Sequence, residues 1–126
     1  MNATARVESL TKYYGVLMLA TREFFNRLSK PPESRVIDRV VVKGKSVPLE
    51  LIELRHPASP EDFGDIAKTY SEAFAFYREG KFKDAEEQFR SLSKCDKPSS
   101  VIAQRCAEFA ANPPPEWCGI FTLMAK

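Results

Sequence analysis

Pro57 and Pro60 divide this chain into two stretches that follow different periodicities. Proline locks its own φ and has no amide hydrogen to donate, so neither a helix nor a central strand runs through Arg55-His56-Pro57-Ala58-Ser59-Pro60. Residues 56–61 therefore read as a linker, and the flanking stretches, 1–55 and 62–126, read as separate organisational units. A chain of 126 residues has room for one ordinary domain or for two small units of this kind.

The first stretch mixes helix and strand. Ala3, Val7, Leu10 and Tyr14 recur at helical spacing on one face, and Gly15 stands in the usual stop position, which predicts a helix from Asn2 to Tyr14. Val16 to Ala20 reads as a short buried strand. Thr21 is the expected N-cap of a brief second helix through Phe24, Phe25 and Leu28, broken by Pro31-Pro32. Val36–Val42 and Val47–Leu54 are rich in β-branched and apolar residues, with Lys43-Gly44-Lys45-Ser46 as a hairpin turn between them. Their alternation is imperfect, which predicts burial on both faces over part of their length.

The second stretch is helical. Phe63, Ile66, Tyr70, Phe74 and Tyr77 follow a three-four spacing that Gly80 ends, a second helix carries Phe82, Ala85, Phe89 and Leu92, and a third runs from about Ser99 to Ala111. The closing segment, from Pro113-Pro114-Pro115 to Phe121, cannot start as helix and is too aromatic to stay in water. It is expected to fold back onto the helices.

Composition excludes several function classes. An apolar fraction of 44% with 29% charged residues is that of a globular protein. A net charge of +2, with basic and acidic residues interspersed, lacks the field that phosphate-backbone binding needs, so no nucleic-acid partner is expected. No apolar run reaches membrane-spanning length and the first residues do not resemble a signal peptide, so no membrane association is expected for the chain. Cys95, Cys106 and Cys118 fit neither a disulfide framework nor a zinc spacing, and free thiols point to a cytoplasmic location. His56 stands alone in the proline segment without a catalytic partner at a recognisable spacing.

Two places carry residues suited to phosphate chemistry. Asn2 and Arg6 lie four apart and share a helix face, where an amide beside a guanidinium can hold a ribose oxygen and neutralise a phosphoryl transition state. Taken alone the pair means little, because a solvated polar face accounts for it more readily. Lys43, beside Gly44 in the turn, sets a flexible ammonium where a polyanion can approach closely. Taken alone it is weak, because a lysine-rich hairpin tip more often only confers solubility, and it does not fit the phosphate-loop pattern.

Order and context join the two. Asn2-Ala3-Thr4-Ala5-Arg6 leads through Tyr14-Gly15 into a strand, and Asp38-Arg39-Val40-Val41-Val42-Lys43-Gly44-Lys45 follows. Residues 1–54 thereby resemble the end of a class III adenylate or guanylate cyclase catalytic domain, whose helix carries an Asn-x-x-x-Arg pair and whose final hairpin carries Val-Lys-Gly-Lys. The resemblance implies an α+β fold built on part of a ferredoxin-like sheet, and cyclic-nucleotide formation, by preference from ATP. It also implies head-to-tail pairing with a second copy or another cyclase domain. It further implies that Asn2 orients the ribose, that Arg6 stabilises charge on the α-phosphate, and that Lys43 holds the terminal phosphates of a nucleoside triphosphate. Two magnesium or manganese ions belong to the complete enzyme. Their aspartate ligands and the purine-selecting positions lie upstream of the matched span, so no metal ligand is assigned in this chain, which is expected to be inactive alone.

The second stretch carries its own resemblance. Phe76-Tyr77-Arg78-Glu79-Gly80-Lys81-Phe82-Lys83-Asp84-Ala85, with Phe89 and Pro98, is similar to a tetratricopeptide repeat, and Trp117-x-Gly119-x-Phe121 looks like the end of the extensions that follow many bacterial cyclase domains. A single repeat suits a packing unit better than a peptide-binding superhelix, since about three repeats make a stable solenoid. The alternative function is a non-enzymatic interaction module in which this helical tail is the working part.

Overall fold

The computed structural model describes residues 3–42 and 47–123, with side chains from Ser9 onward except those of Val42 and Leu123. The fold is α+β: among the described residues, five helices and a four-stranded mixed sheet. The chain divides into two compact units, one of residues 1–61 with 120–126 and one of residues 62–119.

In the first unit, helix α1 (Ala3–Tyr14) is followed by Gly15 at φ 74°, a left-handed conformation that costs glycine nothing. Strand β1 (Leu19–Thr21) is shorter and later than the expected Val16–Ala20, and Leu17 and Met18 are exposed rather than buried. Helix α2 (Arg22–Asn26) begins at the expected cap, the Thr21 hydroxyl accepting from the Phe24 amide at 3.3 Å. Strands β2 (Ser34–Val42) and β3 (Leu49–Leu54) pair antiparallel, β1 pairs antiparallel with the other side of β3, and the sheet order is β1-β3-β2-β4. The turn expected at Lys43–Ser46 lies outside the described residues.

One irregularity decides which side chains the two faces carry. Val36 stands opposite Ile52 and Asp38 stands opposite Leu51, so Ile37 is an extra residue in β2, a β-bulge. Side chains alternate across a strand with period two, so this single insertion moves Asp38 and Arg39 to the faces opposite those that strict alternation would give. On one face, Ala20, Ile52 and Leu54 form a core with Val36 and with Phe25 and Leu28. The other face carries Leu51, Asp38 and the cross-strand pair Arg35 and Glu53. Ile37, Val40 and Leu51 are fully buried, as the imperfect alternation implied.

The second unit consists of α3 (Phe63–Arg78), α4 (Phe82–Leu92) and α5 (Lys97–Ala111), close to their expected spans. Gly80 at φ 85° makes the turn between α3 and α4. Ala85 is fully buried in α4, which packs on both α3 and α5. Asp96 caps α5, its Oδ2 accepting from the Ser99 amide at 3.2 Å and from the Ser99 hydroxyl at 2.6 Å. Tyr70, Phe74, Tyr77, Phe82, Phe89, Phe109 and Trp117 form a continuous aromatic core in mostly edge-to-face contacts.

The closing segment is divided between the units. Trp117 folds back onto the helices as expected, its indole donating to the Tyr77 carbonyl at 2.9 Å. Phe121 does not: it opens β4 (Phe121–Leu123), which pairs in parallel with Val40–Val42 of β2. The helical unit thus ends at Gly119, not at the C-terminus of the chain.

Candidate functional site

The helix expected to carry the transition-state groups and the strand that leads to Lys43 are joined inside the first unit. Tyr14, at the end of α1, donates its phenolic hydrogen to Asp38 Oδ2 at 2.6 Å, and both residues are fully buried. The bulge at Ile37 is what turns Asp38 toward this face. Asp38 Oδ1 accepts the Arg39 amide at 2.8 Å, so the carboxylate is held at both oxygens. Five residues on from Asp38 is Lys43.

Of the sequence-predicted site residues, Asn2 and Lys43 lie outside the described residues. Arg6 falls within α1, whose backbone is described, but its side chain is not. The strand leading to Lys43 is bordered by β3 up to the pair Val40 and Leu49, and by β4 from Val40 to Val42.

The bulge sends Arg39 to the opposite face, where sequence reasoning had assigned nothing. There Arg39 Nε donates to Glu50 Oε2 at 2.9 Å, and Arg22 Nε donates to Oε1 of the same carboxylate at 2.6 Å. Burial by itself would raise the Glu50 carboxyl, but the hydrogen bonds from Arg22 and Arg39 and their charges outweigh it and hold Glu50 below the usual glutamate range. Arg22 also lies over the Phe25 ring, 5.3 Å from its centroid. The one available signal is the Asp38-Arg39 pair, which Val40 and Val41 separate from the Val42-Lys43-Gly44-Lys45 stretch. Its two opposed roles depend on a bulge that composition does not reveal.

Glu53 in the sheet and Glu33 just before it are engaged in the same way. Glu53 Oε1 accepts from Arg35 Nε at 2.7 Å in a pair buried on both sides, and Glu33 pairs with Arg55. Among the described residues no group of three or more His, Cys, Asp or Glu could hold a metal ion, and these acids serve arginines and Tyr14 instead. His56 is a turn residue: its Nδ1 accepts the Ala58 amide at 2.9 Å and its own amide donates to Ser59 Oγ at 2.9 Å. Cys95 and Cys118 are exposed free thiols and Cys106 is a buried one. Among the described residues no helix is long and apolar enough to cross a membrane.

No protein-family model, curated protein or solved structure matches this chain.

Proposed function

We propose that residues 1–55 are the C-terminal portion of a class III nucleotide cyclase catalytic domain, built on part of a ferredoxin-like sheet, and that it serves cyclic-nucleotide signalling. The observation that carries the reading is the Tyr14–Asp38 hydrogen bond, because it ties the helix of the Asn-x-x-x-Arg pair to the strand of the Val-Lys-Gly-Lys hairpin. Without such a tie the two motifs would be neighbours in sequence only. With it, the helix that carries Arg6 and the strand that leads to Lys43 belong to one packed unit.

In the reaction, the ribose 3′-hydroxyl gives up its proton to solvent and its oxygen bonds to the α-phosphorus, while the bond from that phosphorus to the pyrophosphate oxygen breaks and pyrophosphate leaves. Asn2 orients the ribose, Arg6 neutralises charge as it grows on the α-phosphate, and Lys43 holds the terminal phosphates. Magnesium or manganese, when bound by the partner portion of the domain, supplies Lewis acidity toward the attacking hydroxyl. The groups in this chain bind, orient and neutralise. The second unit is read as a tetratricopeptide-like extension, on the strength of the Gly80 turn and the fully buried Ala85. It works as a packing unit and not as a peptide-binding superhelix.

The test is complementation. This chain is mixed with a cyclase domain that keeps its metal-ligand aspartates but has lost its own Asn-x-x-x-Arg pair. The expected result is cyclic nucleotide above the level of either protein alone. Association of the two proteins without product would refute the proposal.

A further inference from the structure

Two arginines of the first unit converge on one carboxylate and keep most of their hydrogen-bonding capacity unused. Arg22 opens α2, Arg39 follows the bulge in β2, and Glu50 stands directly opposite Arg39 on β3. Each guanidinium gives Glu50 its Nε hydrogen, at 2.6 Å from Arg22 and 2.9 Å from Arg39. A guanidinium also carries a fork of terminal nitrogens, Nη1 and Nη2. Among the described residues neither fork makes a hydrogen bond or an ion pair.

Charge and exposure set this cluster apart from an ion pair that only holds the sheet. Arg35 and Glu53, on the opposite face, balance each other and are buried together, at 3% and 8% exposure. Here two positive charges face one negative, and the neighbouring Glu23 and Arg27 pair with each other and add no net charge. Glu50 is the sheltered member at 18% exposure, while Arg22 and Arg39 remain 43% and 38% exposed. Glu50 thus holds both guanidinium groups from below and leaves them accessible. The Phe25 ring, 5.3 Å from the Arg22 guanidinium carbon, holds that side chain further. An arginine ordinarily gives up much rotamer freedom when it grips an anion, and these two have given up part of it already.

We propose that Arg22 and Arg39, oriented by Glu50, form a binding site for a phosphate monoester. A carboxylate has two oxygens, and Glu50 already shows its use here, one oxygen to each arginine. A phosphate monoester brings three terminal oxygens and about two negative charges, so it can accept from both forks at once and balance the excess positive charge. None of these residues has a part in the cyclase reading, and the site does not rest on it.

Inorganic phosphate titrated into the full chain at constant ionic strength, followed by nitrogen NMR of the arginine Nε–H groups, tests the site. Arg22 and Arg39 should shift together along one saturable curve. Arg27 and Arg90, exposed arginines in single pairs one helical turn apart, should shift little and without saturation. Arg39→Lys and Arg22→Lys each keep the charge and lose the fork, and each should raise Kd at least about tenfold. A short phosphoserine peptide separates the two sources of the group: tighter binding than inorganic phosphate assigns the site to a phosphorylated protein, and binding no tighter assigns it to a small soluble phosphate ester. Absence of saturation at Arg22 and Arg39, or an equal response at Arg27 and Arg90, overturns the site. So does an unchanged Kd in both folded lysine variants, which would mean that charge alone draws the anion. Because neither nucleotide nor a cyclase partner is present, such a failure is separate from failure of the cyclase reading.

Discussion

Tyr14 donates a 2.6 Å hydrogen bond to Asp38 across 24 residues of sequence, with both side chains fully buried. A carboxylate removed from water needs its acceptors filled, and leaving one unfilled costs more than the bond returns when made. Tyr14→Phe should therefore lower stability by about 1–3 kcal/mol. Urea denaturation would show this as a shifted midpoint with an unchanged slope, and an unshifted midpoint would mean that Asp38 does not depend on Tyr14.

Glu50 links Arg22 and Arg39, and its carboxyl is held below the usual glutamate range. A group whose folded-state pKa is depressed adds stability that is present above its unfolded value, 4.5, and is lost as pH falls through the lower folded-state value. Glu50→Gln should be less stable than the parent by on the order of 0.2–1 kcal/mol per ion pair at neutral pH, the pairs being partly exposed. The two proteins should converge below that window. A difference that stays constant down to the lowest accessible pH would contradict the assignment.

Gly80→Ala tests the helical unit. The added methyl would meet Trp117 Cδ1 at 3.7 Å, an ordinary contact, so the penalty comes from holding alanine at φ 85°. That conformation costs a residue with a Cβ roughly 1–2 kcal/mol. Trp117 is the chain's one tryptophan and lies in this unit's core, so its fluorescence reports the melting directly. An unchanged melting temperature would show that the turn is not rigid.

Much of this architecture is legible in the sequence, and the exceptions have physical reasons. The helix containing Phe63, Ile66, Tyr70, Phe74 and Tyr77 repeats its apolar residues over four turns, and such a pattern has a single solution. A short apolar run such as Val16–Ala20 has no period to fix its ends, so β1 lies further along than expected. Strand β4 could not be read at all. Three residues carry no alternation, and the partner in β2 is about 80 residues away. The bulge at Ile37 left only imperfect alternation as its trace, yet it assigns Asp38 and Arg39 to opposite faces. Asn2, Arg6 and Lys43 are read from motif order alone, and Asn2, Lys43 and the Arg6 side chain lie outside the described residues.

The first unit exposes Tyr13, Leu17, Met18, Phe24 and Val47, a set of large apolar residues on one small unit. Head-to-tail pairing, as the cyclase reading requires, would cover part of this surface. Light scattering at micromolar concentration should show a dimer or larger species, and a stable monomer would contradict the pairing.

The central claim is that Arg6 and Lys43 act on different parts of one nucleoside triphosphate, and steady-state kinetics of the complemented mixture tests it most directly. Negative charge grows on the α-phosphate only in the transition state, so Arg6→Ala should lower turnover on the order of a hundredfold with little change in KM. The terminal phosphates are charged in ground and transition states alike. Lys43→Ala should accordingly raise KM and leave turnover nearly unchanged. Kinetics unaltered by both substitutions would contradict the account.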